Sequence, residues 1–399
     1  MKVLQINSVC GVGSTGRIAT NISRILKSKG HESYIAYGRG TAQEELNTIR
    51  IGTKLDNYTH VAETRLLDLH GFGSKSATKQ FIQKVKEINP DIIHLHNLHG
   101  YYINIEILFK YLKESNKKVV WTLHDCWAFT GHCVHFEYIK CNKWKTNCQS
   151  CPQKKEYPVS LFLDNSEKNF FNKKELFTGL NNLTIVTPSK WLTNLVKQSF
   201  LGIYPIKTIN NGIDLDVFKP TKSNFREKYN IGKSFIVLGV ARWDKRKGLD
   251  YLIQLSKHLN NDYQVVVVGL TENQKSMLPE NIIGITQTNN IEKLVEIYSA
   301  ANVFVNPTFE DNFPTTNLEA LACGIPVITF DTGGSAESID ENTGFVIEQG
   351  NFEQLMNIVI KLKKTDLDYK ENCINRVKEE FLSENKYLEY IKLYENLTC

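Results

Sequence analysis

At 399 residues the chain is long for a single hydrophobic core, so two domains are the natural expectation. Its 41% hydrophobic and 23% charged residues exclude a disordered chain, and a net charge of +5 is too small to argue for nucleic acid, although it is compatible with resting on an anionic membrane surface. The opening MKVLQINSV has strand character rather than the charged region and apolar core of a signal peptide, and no apolar run approaches the roughly 20 residues that span a bilayer. A cytoplasmic protein is therefore expected, with its cysteines as reduced thiols or metal ligands.

In chain order, Lys2–Val9 reads as a strand, Gly11-Val12-Gly13-Ser14-Thr15-Gly16 follows, and Arg17–Lys29 reads as a helix. This is formally the G-x-G-x-x-G turn that lets backbone approach a phosphate. A dinucleotide site wants an acid about 20 residues on, at the end of the second strand. That strand, Glu32–Tyr37, runs instead into Gly38-Arg39, which disfavours NAD and leaves an opening for the 2′-phosphate of NADP. Asp91–Asn97 and Lys118–Leu123 are buried-type strands with a helix near Ile103–Ser115 between them. His124 follows the second of these strands, where ligands bind in an open α/β sheet. His94, His96 and His99 are expected to be structural or acceptor-facing rather than metal ligands.

Of nine cysteines, Cys126, Cys133, Cys141, Cys148 and Cys151 fall in one short segment. Cys148-x-x-Cys151 has the spacing of a metal knuckle, and Cys133 and Cys141 would complete a structural zinc site of four thiolates, with His132 and His135 as substitutes for one ligand. The same pattern also describes reduced thiols. Lys140, Lys143 and Lys145 would receive an acceptor head group or form a solvated basic face.

Leu183–Thr187 is a further strand, and the turn-rich passage Ile206–Asp214 marks a domain boundary near Pro205. An α/β alternation then restarts with a strand at Phe235–Val240, whose following loop carries Arg242 and Lys247, fixed positive charge that suits a diphosphate. Strands are expected at Gln264–Gly269 and Ile283–Gln287, and a helix near Glu292–Ala300. Val303–Thr332 then reads strand, polar loop, helix and strand, with Asn317–Cys323 as the helix and Gly324 as its stop. Loop amides ahead of a helix N-terminus suit an anion, and Asp311 and Glu319 are placed to accept hydrogen bonds from sugar hydroxyls. A helix over Phe381–Leu397, with Leu388, Ile391, Tyr394 and Leu397 as its apolar positions, ends the chain.

The glycine loop, His124, the Asn211-Gly212-Ile213-Asp214 passage, the Arg242–Lys247 pair and the acidic loop occur in an order that resembles the retaining GT-B glycosyltransferases, glycosyltransferase family four. The resemblance implies an α/β GT-B fold: two facing Rossmann-like domains with a cleft between them and a C-terminal helix returning to the first. It assigns 1–205 to an acceptor-binding domain with a Cys-rich insertion at 126–155, 206–380 to a sugar-nucleotide domain, and 381–399 to the returning helix. In the family's acidic motif two glutamates are separated by seven residues. Asp311 and Glu319 stand at that spacing with Glu310 just before, so either Glu310 or Asp311 would face the donor sugar and Glu319 the ribose.

By the same resemblance His124 contacts the donor sugar, Arg242 and Lys247 hold the diphosphate, and Gly13 and Gly16 let backbone approach it. Thr286 lies beside the base, and Asn312, Phe313, Pro314 and Thr315 line the donor. His124, Arg242, Lys247 and Asp311 would carry the reaction, with retention and with no cofactor beyond the nucleoside-diphosphate sugar itself. HDCWAFTGHC and the trailing CxxCP resemble a branch found in bacterial exopolysaccharide clusters of the colanic-acid type. That branch implies capsule or lipopolysaccharide synthesis on a glycan or lipid-linked oligosaccharide acceptor, with peripheral contact at the inner membrane surface. The alternatives are a two-domain NADP-dependent oxidoreductase, a metal or redox module built on the cysteines, and a GT-B epimerase or sucrose-type synthase.

Overall fold

The computed structural model describes residues 1–42, 45–286, 290–365 and 367–398. The chain divides into two compact units, Met1–Asn210 with Tyr387–Cys399, and Asn211–Lys386.

The first unit holds strands β1 (Lys2–Val9), β2 (Glu32–Arg39), β3 (Asn47–Arg50), β4 (Ile92–Leu95), β5 (Lys118–Thr122), β6 (Leu183–Thr187) and β7 (Ile206–Thr208). They form one sheet in the order β3-β2-β1-β4-β5-β6-β7, and every pairing is parallel. Apolar side chains cover both faces because helices pack on both. Leu4, Ile6, Val119 and Trp121 point to one core while their neighbours Val3 and Val120 point to another. That alternation is the period-two geometry of a strand.

The second unit repeats the plan with β8 (Phe235–Val240), β9 (Tyr263–Leu270), β10 (Ile282–Thr286), β11 (Val303–Asn306), β12 (Val327–Phe330) and β13 (Gly344–Ile347). The order is β10-β9-β8-β11-β12-β13, again all parallel. Ile236, Leu238 and Phe304 face one core, Val237, Val303 and Val305 the other. Gln287, expected to close β10, lies outside the described residues, as does Cys399.

The last helix, Ser383–Thr398, carries the chain back into the first unit. Its buried face is Tyr387, Tyr390, Ile391 and Tyr394, packed on Val3, Ile18, Ile22, Val120 and Val186. Leu388, expected on that face, is only half-buried, and tyrosines take the place of leucine. The reason is polar: Tyr394 donates to His94 Nδ1 at 2.6 Å, and Tyr390 accepts from Thr122 Oγ1 at 3.3 Å. Buried hydroxyls with partners of this kind escape a desolvation penalty of about 1–3 kcal/mol each. Among the described residues no helix is long and apolar enough to cross a membrane.

Candidate active site

In the second unit the strand order reverses at β8, which has β9 on one side and β11 on the other. The loops leaving β8 and β11 therefore open at the switch point, the usual ligand site of a doubly wound sheet. Two glycines seat them. A Cβ on Gly248 (φ +70°) would lie 2.1 Å from the Pro307 carbonyl oxygen, and a Cβ on Gly333 (φ +56°) would meet the Asp311 carbonyl oxygen. Only glycine permits both the positive φ and the close approach. The loops are further stitched by Phe309 N–H donating to the Arg246 carbonyl at 2.7 Å.

Charge is paired across this seam. Lys247 Nζ donates to Asp311 Oδ2 at 2.5 Å, with side chains 21% and 22% exposed. Arg246 reaches Asp244 Oδ2 at 2.7 Å and Glu310 Oε2 at 3.4 Å. Burial works against the Arg246 cation, but the hydrogen bond and charge of Asp244, and then Glu310, hold its pKa above the ordinary value. The Glu310 side chain is 1% exposed. Of the two acids considered for the first motif position, Glu310 is thus enclosed and Asp311 is the one open to solvent. Arg242, expected beside Lys247, is exposed, and Arg246 is the arginine joined to the acidic loop.

The helix after this loop begins at Thr315, two residues earlier than expected, and runs to Ala322 with Pro314 as N-cap. Proline has no N–H to leave unpaired, and its fixed φ suits a helix start. Asn317 N–H bonds the Pro314 carbonyl, so Thr315 and Thr316 carry the leading amides of the helix. Asn317 is fully buried and joins Asn306 at 2.8 Å to Ser338 at 2.9 Å, tying β11 to the segment after β12. Glu319, on the second turn, is 4% exposed and accepts from the Tyr298 hydroxyl at 3.1 Å. Asn312 is buried, while the Phe313 ring packs against Phe381 in the core and its carbonyl accepts from Asn211 Nδ2 at 3.2 Å. Thr286 ends β10 half-buried.

His124 stands in the first unit, after β5, with Nε2 3.1 Å from His96 Nδ1. His96 Nε2 faces Gln5 Oε1 at 3.1 Å. His94 is enclosed between Thr122 and Tyr394. Burial first, and then the neighbouring imidazoles, keeps both His94 and His96 well below the usual histidine range, so they are neutral structural groups. His99 pairs with Asp125 at 2.6 Å. The helix after β1 begins within the glycine run, at Gly13, earlier than the expected Arg17. A Cβ on Gly16 would come within 3.2 Å of Gly11 N and Val9 Cγ2, so Gly16 sets the packing of helix on strand.

The cysteine segment is anchored by aromatic side chains. Trp144 stacks on Phe136 at 4.9 Å and meets Phe129 at 5.3 Å, all within the main core of the first unit. Cys133, Cys141, Cys148 and Cys151 line a single cavity of about 20 Å³. His132 lines it too: its Nδ1 is 2.6 Å from Asp68 Oδ1, and its buried Nε2 has no hydrogen-bond partner. Among the described residues, however, no group of three or more His, Cys, Asp or Glu stands where it could hold a metal ion. As placed, the four thiols do not fit zinc. Lys143 is spent on the Gln149 and Ser150 carbonyls, at 2.9 and 3.1 Å, rather than presented to an acceptor.

Four positioning residues, Arg246, Tyr298, Asn317 and Lys173, carry no readable signal of their partners in the sequence. Arg246 was visible inside Lys245-Arg246-Lys247-Gly248, but its pairing with Glu310 needs the fold. Tyr298 and Asn317 lie on helices and carry no local signal. Lys173, fully buried, donates to the Trp127 and Thr130 carbonyls at 2.8 and 3.0 Å and pins the start of the cysteine segment.

Comparison with known proteins gives the family and the fold. The family model described as Glycosyltransferase Family 4 matches residues 15–217, and the one described as Glycosyl transferases group 1 matches residues 221–380. The chain is 24% identical to the putative colanic acid biosynthesis glycosyl transferase WcaC of Escherichia coli, over 100% of both chains. Its fold is similar to that of sucrose-phosphate synthase from Thermosynechococcus elongatus, with a TM-score of 0.75 at 18% identity over 100% of this chain and 99% of that one. It is also similar to HepE of Anabaena, solved in complex with UDP, with a TM-score of 0.70 at 14% identity over 99% and 100% of the two chains. The fold is GT-B, and the glycine loop thereby loses its NADP reading. The chain belongs to Glycosyltransferase Family 4 and is a glycosyltransferase.

Proposed function

We propose that this enzyme transfers a sugar from a nucleoside-diphosphate sugar to a glycan or lipid-linked oligosaccharide acceptor during assembly of a bacterial surface polysaccharide. The observation that carries the proposal is the Lys247–Asp311 pair, set at the switch point of the second sheet and beside the helix that begins at Thr315. The full-length likeness to a colanic acid enzyme and the UDP bound in the Anabaena protein support the choice of pathway class and donor class.

In this reading Lys247, Arg242 and the amides of Thr315 and Thr316 stabilise charge on the departing diphosphate. Glu319, held by Tyr298, accepts from the ribose hydroxyls, and Asp311 accepts from the sugar. Asn312 and the Phe313 backbone line the donor and Thr286 lies beside the base, while Gly13, Gly16 and His124 keep the donor-side roles that the family resemblance gives them. The acceptor oxygen bonds to the anomeric carbon as the bond to the diphosphate breaks, and the acceptor's proton passes to the leaving phosphate. Attack from the leaving group's own face retains the anomeric configuration. The first unit holds the acceptor, at the cytoplasmic face of the membrane. The cysteine segment is structural, and a zinc ion there would require the thiols to close around their cavity.

The test is release of nucleoside diphosphate from a panel of UDP-, GDP- and ADP-sugars in the presence of a lipid-linked oligosaccharide extract. One donor should be consumed with sugar entering the lipid fraction, and Lys247→Met should slow this by about 10²–10³. Consumption of NADPH, with every sugar nucleotide left intact, would contradict the proposal.

A further inference from the structure

Gln5 on β1 is fully buried, and its side-chain amide donates to the Ala19 carbonyl at 2.9 Å. A carbonyl only accepts, so the amide nitrogen must face Ala19 and the amide oxygen must face His96. That oxygen lies 3.1 Å from His96 Nε2, which therefore carries a hydrogen. His96 is 1% exposed and neutral, so it has one ring proton, and its Nδ1 is a lone pair. Nδ1 lies 3.1 Å from His124 Nε2, and the two ring planes are within 14° of parallel with centroids 5.4 Å apart. His124 Nε2 must then donate.

We infer that Gln5 and His96 lock His124 in its Nε2–H tautomer, so that Nδ1 meets the donor sugar as a hydrogen-bond acceptor and selects donors that present a hydroxyl, rather than a carboxylate, at that point. The selection rests on the reading that His124 faces the donor sugar. A neutral Nδ1 lone pair attracts an O–H and repels a carboxylate, which has no hydrogen to give. Burial above all pushes the His124 pKa down to about 4, so the ring stays neutral at working pH. The chain of bonds also reaches the helix that begins at Gly13, because Ala19 sits on it. Gln5 and His96 act through His124 and are positioning residues.

The experiment is a two-bond proton–nitrogen correlation spectrum of the full chain, labelled with ¹⁵N in its histidine rings, at pH 7. Signals are assigned with His124→Gln and His96→Gln. His124 should show a protonated Nε2 and a bare Nδ1. Gln5→Leu should shift it toward a mixture of tautomers and lower kcat/KM roughly tenfold. A wild-type spectrum with His124 protonated on Nδ1, or on both nitrogens, overturns the inference, as does an unchanged tautomer in folded Gln5→Leu. Should that variant not fold, the wild-type spectrum decides alone. The sugar contact is read separately, from the preference for a hexose over a uronic acid donor. If the tautomer is as assigned but His124→Gln keeps that preference, the donor-facing place of His124 falls and the selection falls with it.

Discussion

Lys247 Nζ and Asp311 Oδ2 stand 2.5 Å apart, joining the loop after β8 to the loop after β11. In the proposed reaction each has a separate partner in the donor, the cation a phosphate and the carboxylate a sugar hydroxyl. Donor binding must therefore share or open this pair. Lys247→Met should lower kcat/KM by about 10²–10³, the usual loss for one group that stabilises transition-state charge. Lys247→Arg should recover only part of it, because a planar guanidinium does not reproduce a point charge. Steady-state kinetics with a saturating acceptor checks both.

Glu310 and Asp311 should separate cleanly by substitution. Glu310 is enclosed against Arg246, and Asp311 is open to solvent. Glu310→Gln should cost about 1–3 kcal/mol of stability, because it weakens an enclosed charged contact. Asp311→Asn should fold with a near-normal melting temperature and lose most of its turnover. Calorimetry beside kinetics decides, and the opposite pattern would make Glu310 the sugar-facing acid.

Tyr298 holds Glu319 through one hydrogen bond of 3.1 Å. Tyr298→Phe leaves the carboxylate in place but less well oriented, so nucleoside diphosphate should bind several-fold more weakly while Glu319→Gln loses more. Titration calorimetry on the three proteins ranks them. Equal affinity in wild type and Tyr298→Phe would show that Glu319 needs no such support.

The cysteine cavity is held by aromatic packing around Trp144 and by Lys173. Cys148→Ser with Cys151→Ser should lower the melting temperature by a few degrees and leave kcat within about twofold. A zinc chelator should not move the melting temperature of the wild type. A fall on chelation would show that the four thiols close on a metal in solution.

The sequence was most informative where chemistry and local pattern coincide. Gly324 stops a helix, continuous apolar runs such as Phe235–Val240 form strands, and the order of motifs pointed to a family. It was least informative where a partner is distant along the chain. Nothing near Gln5 announces His96, 91 residues away, and nothing near Arg246 announces Glu310. The last helix shows the same limit: its buried face is tyrosine, chosen by hydroxyl partners on β4 and β5 that no helical period contains. For the cysteines, spacing alone described a zinc knuckle, while the aromatic residues of the same segment join the main core of the first unit.

The most direct test of the donor site is calorimetric titration of UDP, GDP and ADP into the wild type, Lys247→Met and Glu319→Gln. One of the three should bind the wild type, both variants should weaken that binding at least tenfold, and all three proteins should melt alike without ligand. Binding of that nucleotide undiminished in both variants would contradict the account, because the donor would then lie away from the seam between the loops after β8 and β11.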